Sequence, residues 1–408
     1  MPRIVQIVAA ANHSPWFADL CGEVARRGFD VVAIIDSQEG NLSARLTGLG
    51  IRHYKVPLTL AHGLDRLRWV AYAFQLPITI LRVARILRKE KAGLVQSHIF
   101  VANLVARLAC ALVRIPHIAT AAGPRHLEAP FTRALDRMTW ALDAAVVGGC
   151  EYTARLYEQA GRKHAECIYY GPPAERFDPA RTDATSFRRD LCVAAGVPLV
   201  GLVAHFYPPT LGPQTPAFTR GVGLKGHDVF LAAARIVAKH FPGAKFVMVG
   251  GGSNALGEAY RQSLIDACHA EGIGDRVLFP GHRYDIAEVL ASFDVAVQCA
   301  FTEGLGGTVE ALLMERPTVA TDVGGMPESV RHEETGLLVP PGDPVALAGA
   351  IERLLGDRDE ARRLGRAGRA LMLQRITLTR TGADLEELYA RVTHGKFSVP
   401  GSASSPVS

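Results

Sequence analysis

The strongest constraint on how this 408-residue chain folds is a rhythm: short β-branched runs alternate with longer amphipathic ones, and the series is played twice. Residues 4–9, 31–35, 94–97 and 117–120 read as strands, and residues 16–27 and 101–113 as helices between them. The series restarts near Leu199, with strands at 199–204, 245–249, 277–279, 295–298 and 318–321. Helices at 227–240, 258–271, 286–292, 309–314 and 345–355 separate them. Such strands carry few polar positions, as strands covered on both faces must, so each half reads as βαβ units on a parallel sheet. Ser14-Pro15 marks the start of the first helix, where the missing N–H of Pro costs nothing, and Gly28 its left-handed stop. The expected fold class is α/β: two Rossmann-like, doubly wound domains facing across a cleft, with ligands at the carboxyl ends of the strands. The periodicity breaks between 171 and 198, where Gly171-Pro172-Pro173 stands, which gives domains at 1–180 and 181–375. A final helix at about 376–395 is expected to pack back onto the first domain, and 396–408 reads as a disordered tail.

Composition excludes other classes. Hydrophobic residues make up 48% and charged residues 21%, so a core is available and a disordered or collagenous chain is ruled out. In the N-terminal third the charge-free stretches reach only fifteen residues, at 4–18 and 92–106, and the stretch 69–81, thirteen residues long, contains Pro77. A membrane-crossing helix needs about 20 apolar residues, so none is expected. Met1 to Ala11 shows no signal-peptide pattern, which suggests a mature cytoplasmic start. The seven cysteines are scattered, odd in number and without CxxC, hence reduced and buried. Residues 1–200 hold 25 Lys and Arg against 17 Asp and Glu, whereas residues 201–408 hold 20 against 23. The basic first half therefore suits an anionic neighbour.

The segment 301–343 is the richest in chemistry. Gly304, Gly306 and Gly307 stand between a strand and a helix whose N-cap is expected at Thr308, so free amides and a positive helix end converge. Glu303 and Glu310 flank this loop; two carboxylates would repel phosphate and are better suited to accept hydrogen bonds from hydroxyls. A sugar nucleotide has hydroxyls on both sides of its diphosphate. Read without its surroundings, the same loop is also consistent with a plain βα turn carrying solvated Glu side chains.

The run Phe301-Thr302-Glu303-Gly304 through Glu310-Ala311 and Pro317-Thr318-Val319-Ala320-Thr321-Asp322-Val323-Gly324-Gly325-Met326-Pro327-Glu328, then Gly336-Leu337-Leu338-Val339-Pro340-Pro341-Gly342-Asp343, resembles the donor-binding stretch of retaining glycosyltransferases of GT-B architecture, family 4. Gly223-Leu224-Lys225-Gly226-His227-Asp228, residues 277–285, Val95-Gln96-Ser97-His98, residues 115–123 and Glu175-Arg176-Phe177-Asp178-Pro179 are similar to other motifs of that family, so the resemblance spans about 1–395. It implies that Lys225 neutralises a donor diphosphate, that Glu303 binds hydroxyls of the transferred sugar and Glu310 those of the ribose. It further implies that Gly304, Leu305, Gly306, Gly307 and Thr308 contact sugar and distal phosphate, with Arg283 in the loop after the third strand of that half. No metal and no cofactor beyond the donor substrate is implied. Retention would follow from front-face attack, with the leaving diphosphate taking the proton of the acceptor.

The pattern is departed from at three places. Between the two glutamates stand six residues where the family has seven; Ala204-His205 replaces its Gly-Arg, leaving His205 or Arg220 to stand in; and Ala122 replaces its usual His. His98, His126, Asn12 and His13 are then the candidate polar groups of the first domain, with His98 taken as catalytic. Residues 64–92 carry seven cations, Arg82, Arg85 and Arg88 among them, interleaved with aromatic and aliphatic residues. This fits an anionic membrane surface or a packed helix with a solvated face; nucleic acid is not expected, since no binding module accompanies the charge. The expectation is a glycosyltransferase that acts from a nucleoside diphosphate sugar on a hydroxyl of a glycan or lipid-linked acceptor in cell-surface polysaccharide or glycoconjugate synthesis. It would work in the cytoplasm, at the inner face of the membrane where the basic stretch binds there. A silent sugar-nucleotide-binding protein, or an epimerase of the same fold, is the alternative.

Overall fold

Seven strands form the first sheet: β1 (Arg3–Val8), β2 (Asp30–Asp36), β3 (Arg52–Val56), β4 (Leu94–His98), β5 (His117–Ala121), β6 (Ala145–Gly148) and β7 (Ala165–Cys167). All pair in parallel, in the order β3-β2-β1-β4-β5-β6-β7. A second parallel sheet orders β8 (Leu199–Val203), β9 (Lys245–Val249), β10 (Val277–Gly281), β11 (Val295–Gln298), β12 (Thr318–Thr321) and β13 (Leu337–Val339) as β10-β9-β8-β11-β12-β13. This computed structural model describes residues 2–11, 14–58, 66–212 and 215–395, with the side chains of 66–73 left out. The chain forms two units: the part up to Gly171 joined by the part from Leu378, and Pro172–Thr377.

Both faces of each sheet are covered, which explains the apolar strand runs. In β1, Ile4 and Val8 pack with Phe17, Leu20 and Tyr389, whereas Val5 and Ile7 pack with Val83, Leu87 and Val105 on the opposite face. The helix Pro15–Arg26 begins as the sequence indicates, with Pro15 in its first turn, and Gly28 at φ 90° stops it by donating to Ala25 O. Ser14 occupies the cap position, but its side chain makes no capping bond. The helix Leu378–Val392 belongs to the first unit: Leu385, Leu388 and Tyr389 enter its core, and Arg27 joins Glu23 at 2.8 Å to Glu386 at 2.9 Å. Gly382 permits this approach, since a Cβ there would lie 2.4 Å from Arg27 Nε.

The first unit also buries charge. Arg107, 0% exposed, donates to Asp136 at 2.9 Å and in bidentate fashion to Asp143, while His117 Nδ1 meets Asp143 at 2.6 Å. His117 Nε2 is 2.7 Å from Ser97 Oγ, so the network links the ends of β4 and β5 to the segment entering β6. A buried cation is tolerated only when fully partnered, and two carboxylates partner this one. In the second unit, β8 and β11 lie side by side and Gly201 packs against Phe293, whose ring leaves 2.1 Å for a Cβ.

Arg107→Met should destabilise the first unit by about 3–5 kcal/mol, because it strands two buried carboxylates rather than removing a pair. Urea denaturation monitored by tryptophan fluorescence checks this; a loss below about 1 kcal/mol would mean that the network is already solvated.

Candidate functional site

Each sheet reverses its winding direction at one place, between β1 and β4 and between β8 and β11, where consecutive connections leave on opposite faces and open a crevice at the strand ends. In the second unit the crevice lies beside two glycine-dependent turns. The first, Gly223 to Gly226, closes with Gly226 N–H donating to Gly223 O at 2.9 Å. Gly226 has φ 70° and passes so near Cys299 that a Cβ would lie 2.0 Å from its carbonyl oxygen. Phe301 N–H donates to Leu224 O at 3.0 Å, which fastens this turn to the chain leaving β11. A Lys before that glycine is thereby brought next to Glu303.

Lys225 Nζ donates to Glu303 Oε2, and Oε1 of the same carboxylate accepts from Gly304 N–H at 3.1 Å. The Lys225 ammonium also stands 5.9 Å from the centre of the Tyr207 ring. Glycines surround Glu303: Gly306 at φ 60° passes 2.9 Å from its Cγ as measured from a Cβ position, and Gly324 at φ 57° would clash with its carbonyl at 1.9 Å. Leu305 is buried beneath this loop.

The structure corrects the expectation for Thr308. Thr308 is the first residue of the helix Thr308–Leu313, and Gly307 occupies the cap. The Thr308 hydroxyl turns inward, to Leu305 O and to Ser329 Oγ at 2.7 Å, because the residue is wholly buried. Gly307 lies over Gln298, whose Nε2 would be 2.7 Å from a Cβ. Glu310, in the first turn, is half-buried, with Oε2 withdrawn from water and without a hydrogen-bond partner. Withdrawal from water, helped by the neighbouring Glu303 charge, pushes its carboxyl up to about 7, against a counterweight from its own backbone N–H and a smaller one from Arg176.

His205 stacks on His282 with centroids 5.6 Å apart and rings 9° from parallel, and it lies edge-on to Tyr207. Its row of rings therefore leads toward Lys225. Arg283 is drawn elsewhere: it bonds Asp285 at 2.8 and 2.5 Å and Asp190 at 2.7 Å, and lies over the Phe187 ring. These carboxylates raise its pKa and occupy its fork. In the first unit, His98 at the end of β4 is 0% exposed, with Nε2 2.8 Å from Gln6 Oε1 and the rings of Trp16, Phe17 and Tyr170 packed edge-on around it. Burial depresses its pKa to about 3, so it is a neutral imidazole. His126 stacks on Phe100 and reaches Tyr157 OH at 3.1 Å. Asn12 and His13 lie outside the described residues. The sequence reading missed Tyr207 against Lys225, Gln298 beneath Gly307 and the pull of Arg176 on Glu310; only Arg176 stood in a recognised motif.

Two family models match: "Glycosyl transferase 4-like domain" over residues 14–173 and "Glycosyl transferases group 1" over residues 218–357. Among curated relatives, a D-inositol 3-phosphate glycosyltransferase of Nocardia farcinica is 31% identical over 229 residues, 55% of this chain and 47% of that protein. A GDP-mannose-dependent alpha-(1-6)-phosphatidylinositol monomannoside mannosyltransferase of Mycobacterium tuberculosis is 34% identical over 167 residues, 38% of this chain and 42% of that protein. The chain thus spans about half the length of the curated relatives it matches. Among solved structures, the Anabaena protein HepE with UDP-glucose superposes with a TM-score of 0.78 at 20% identity, covering 96% of this chain and 100% of that one.

The raised Glu310 carboxyl predicts a pH-dependent cost. Below about pH 4.5, its ordinary value, the group is protonated folded and unfolded and costs nothing; as pH rises through 7 the folded state must ionise a buried acid, and stability is lost. Glu310→Gln should therefore gain on the parent between pH 5 and pH 8 by up to about 3 kcal/mol, read from urea midpoints. A pH-independent difference would show that Glu310 is not held protonated.

Proposed function

The chain belongs to the group 1 glycosyltransferases, and we propose that it moves a hexose-type sugar from a nucleoside diphosphate to a hydroxyl of a glycan or lipid-linked acceptor, with retention of configuration and without a metal. The observation that carries this reading is the Lys225–Glu303 pair between the glycine turns at the β8–β11 crevice. A diphosphate is a stronger partner for Lys225 than one carboxylate is, so donor binding takes the ammonium and releases Glu303 to accept hydrogen bonds from the sugar. Glu310, held protonated or ionised according to its surroundings, accepts from or donates to the ribose. Ammonium and backbone amides together supply the charge that the leaving diphosphate needs, and its own oxygen takes the proton of the attacking hydroxyl. Uridine and guanosine diphosphate sugars are the first donors to test, since HepE was solved with UDP-glucose and the mycobacterial relative depends on GDP-mannose.

Slow donor hydrolysis without acceptor separates this reading from that of a silent binding protein. Assayed in excess EDTA, hydrolysis should persist; abolition with rescue by magnesium or manganese would overturn the metal-free part. Lys225→Ala should weaken nucleoside diphosphate binding at least tenfold, whereas Glu303→Gln should lower kcat with little change in nucleotide affinity. Unchanged diphosphate affinity in Lys225→Ala would remove that residue from the site.

A second observation bears on where the acceptor lies. Along the helix Arg66–Lys89, Phe74, Ile78 and Leu81 are exposed by 76%, 67% and 48%, and Arg82, Arg85 and Arg88 continue the same face. Spacings of three and four residues make this one stripe, apolar at one end and cationic at the other. Such a stripe suits the interface of an anionic bilayer, where each cation contributes about 1 kcal/mol. No described helix is long and apolar enough to cross a membrane. We place the protein at the cytoplasmic membrane surface, where a lipid-linked acceptor is presented. It should float with anionic vesicles at low salt and be released by high salt or by Gln at Arg82, Arg85 and Arg88; failure to float would leave a soluble acceptor.

A further inference from the structure

A cavity of about 230 Å³ opens in the second unit at the end of the sheet opposite to Lys225 and Glu303. Pro198, Asp294 and Pro317, each directly before a strand, mark it as the amino-terminal edge of β8, β11 and β12. Three guanidinium side chains line it: Arg316, and Arg358 and Arg362 from the first turns of the helix Arg358–Arg375. Phe293, Leu354 and Ala361 provide an apolar wall.

The charges in this cavity do not balance. Of its two carboxylates, Asp294 is engaged by Arg188 at 2.7 Å and by Leu199 N–H at 2.8 Å, and Glu315 faces Arg369 at 3.9 Å. Arg316 is largely withdrawn from water and is held by carbonyls alone: Nε by Met314 O at 2.8 Å, and Nη1 by Ala291 O and Phe293 O at 3.2 Å each. No carboxylate forms an ion pair with it or with Arg358 among the described residues, and Arg362 meets only Asp359, which is 92% exposed. Desolvation lowers the pKa of Arg316 although Asp294 and Glu315 act against it from a distance, the reverse of Arg107, whose two directly bonded carboxylates raise it. A half-buried guanidinium whose hydrogen bonds all go to carbonyls keeps an ion-pair position open, and guanidinium forks match phosphate oxygens in geometry and charge.

We propose that this cavity is a second ligand site, separate from the donor site, which takes a phosphomonoester carried on a small apolar body. The phosphate is held by Arg316, Arg358 and Arg362, and the apolar part lies against Phe293, Leu354 and Ala361. The helix Thr308–Leu313 runs between the two sites, since Glu310 stands in its first turn and Arg316 bonds the carbonyl of Met314 directly after its end.

Phenyl phosphate is a suitable probe, titrated into the full chain by isothermal calorimetry. One saturable site is expected, with inorganic phosphate at least tenfold weaker and phenol silent. Arg316→Met loses three structural bonds as well as the ligand contact, so the discriminating variant is Arg358→Gln with Arg362→Gln, two exposed positions, which should weaken phenyl phosphate at least fivefold. Lys225→Ala should leave the affinity as it is. Absence of saturable binding, equal affinity for inorganic phosphate, an unaffected double variant, or loss in Lys225→Ala, which would put the probe at the donor site, each overturns the proposal.

Discussion

A parallel sheet covered on both faces leaves only its strand ends to chemistry, and the rest of this structure follows from that constraint. From Ile4 on in β1, and along β4, β8 and β11, the strand side chains go almost entirely to packing, apart from buried polar groups such as Gln6 and Gln96. Polar function is therefore confined to loops at the sheet edges, where backbone N–H groups are free and charges retain contact with solvent. Lys225, Glu303 and His205 all stand there in the second unit. The same logic puts Arg316 and its cavity at the opposite edge.

Glycine decides how close the loops of the second unit come. Gly226 against the Cys299 carbonyl and Gly324 against the Glu303 carbonyl are contacts that no side chain permits, and together they hold two loops distant in sequence within ion-pair reach. These glycines act through backbone proximity. A Cβ at either would push the two loops apart, at Gly226 by meeting the Cys299 carbonyl and at Gly324 by meeting the Glu303 carbonyl itself.

Buried charge is handled in three different ways. Arg107 is neutralised by two carboxylates, so its cluster holds the first unit together and leaves nothing for a ligand. Glu310 has no partner for Oε2 and responds by holding its proton. Arg316, half-buried, keeps its proton at ordinary pH and bonds carbonyls, with Asp294 and Glu315 near it but neither bonded to it. The last two carry unmet electrostatic demand, and unmet demand at a loop or cavity is what a ligand can satisfy.

The sequence by itself determined the two parallel α/β units and most element positions, because periodicity is a local signal; glycine spacing pointed to Glu303 and Glu310, whereas Lys225 was singled out only by the family resemblance. It overlooked β3, β6, β7 and β13. These are three to five residues long, and β3 is polar and half exposed, so hydrophobic alternation hardly registers. Thr308 was misread as a cap because its outward or inward turn depends on Ser329, far along the chain. Arg283 looked available, yet Asp190, ninety-three residues earlier, closes around it. His98 ends its strand as expected, but only packing shows it sealed behind Trp16, Phe17 and Tyr170. Chain neighbours decide where an element lies; burial, partners and charge state are set by residues brought together from far apart, and those only the tertiary structure could supply.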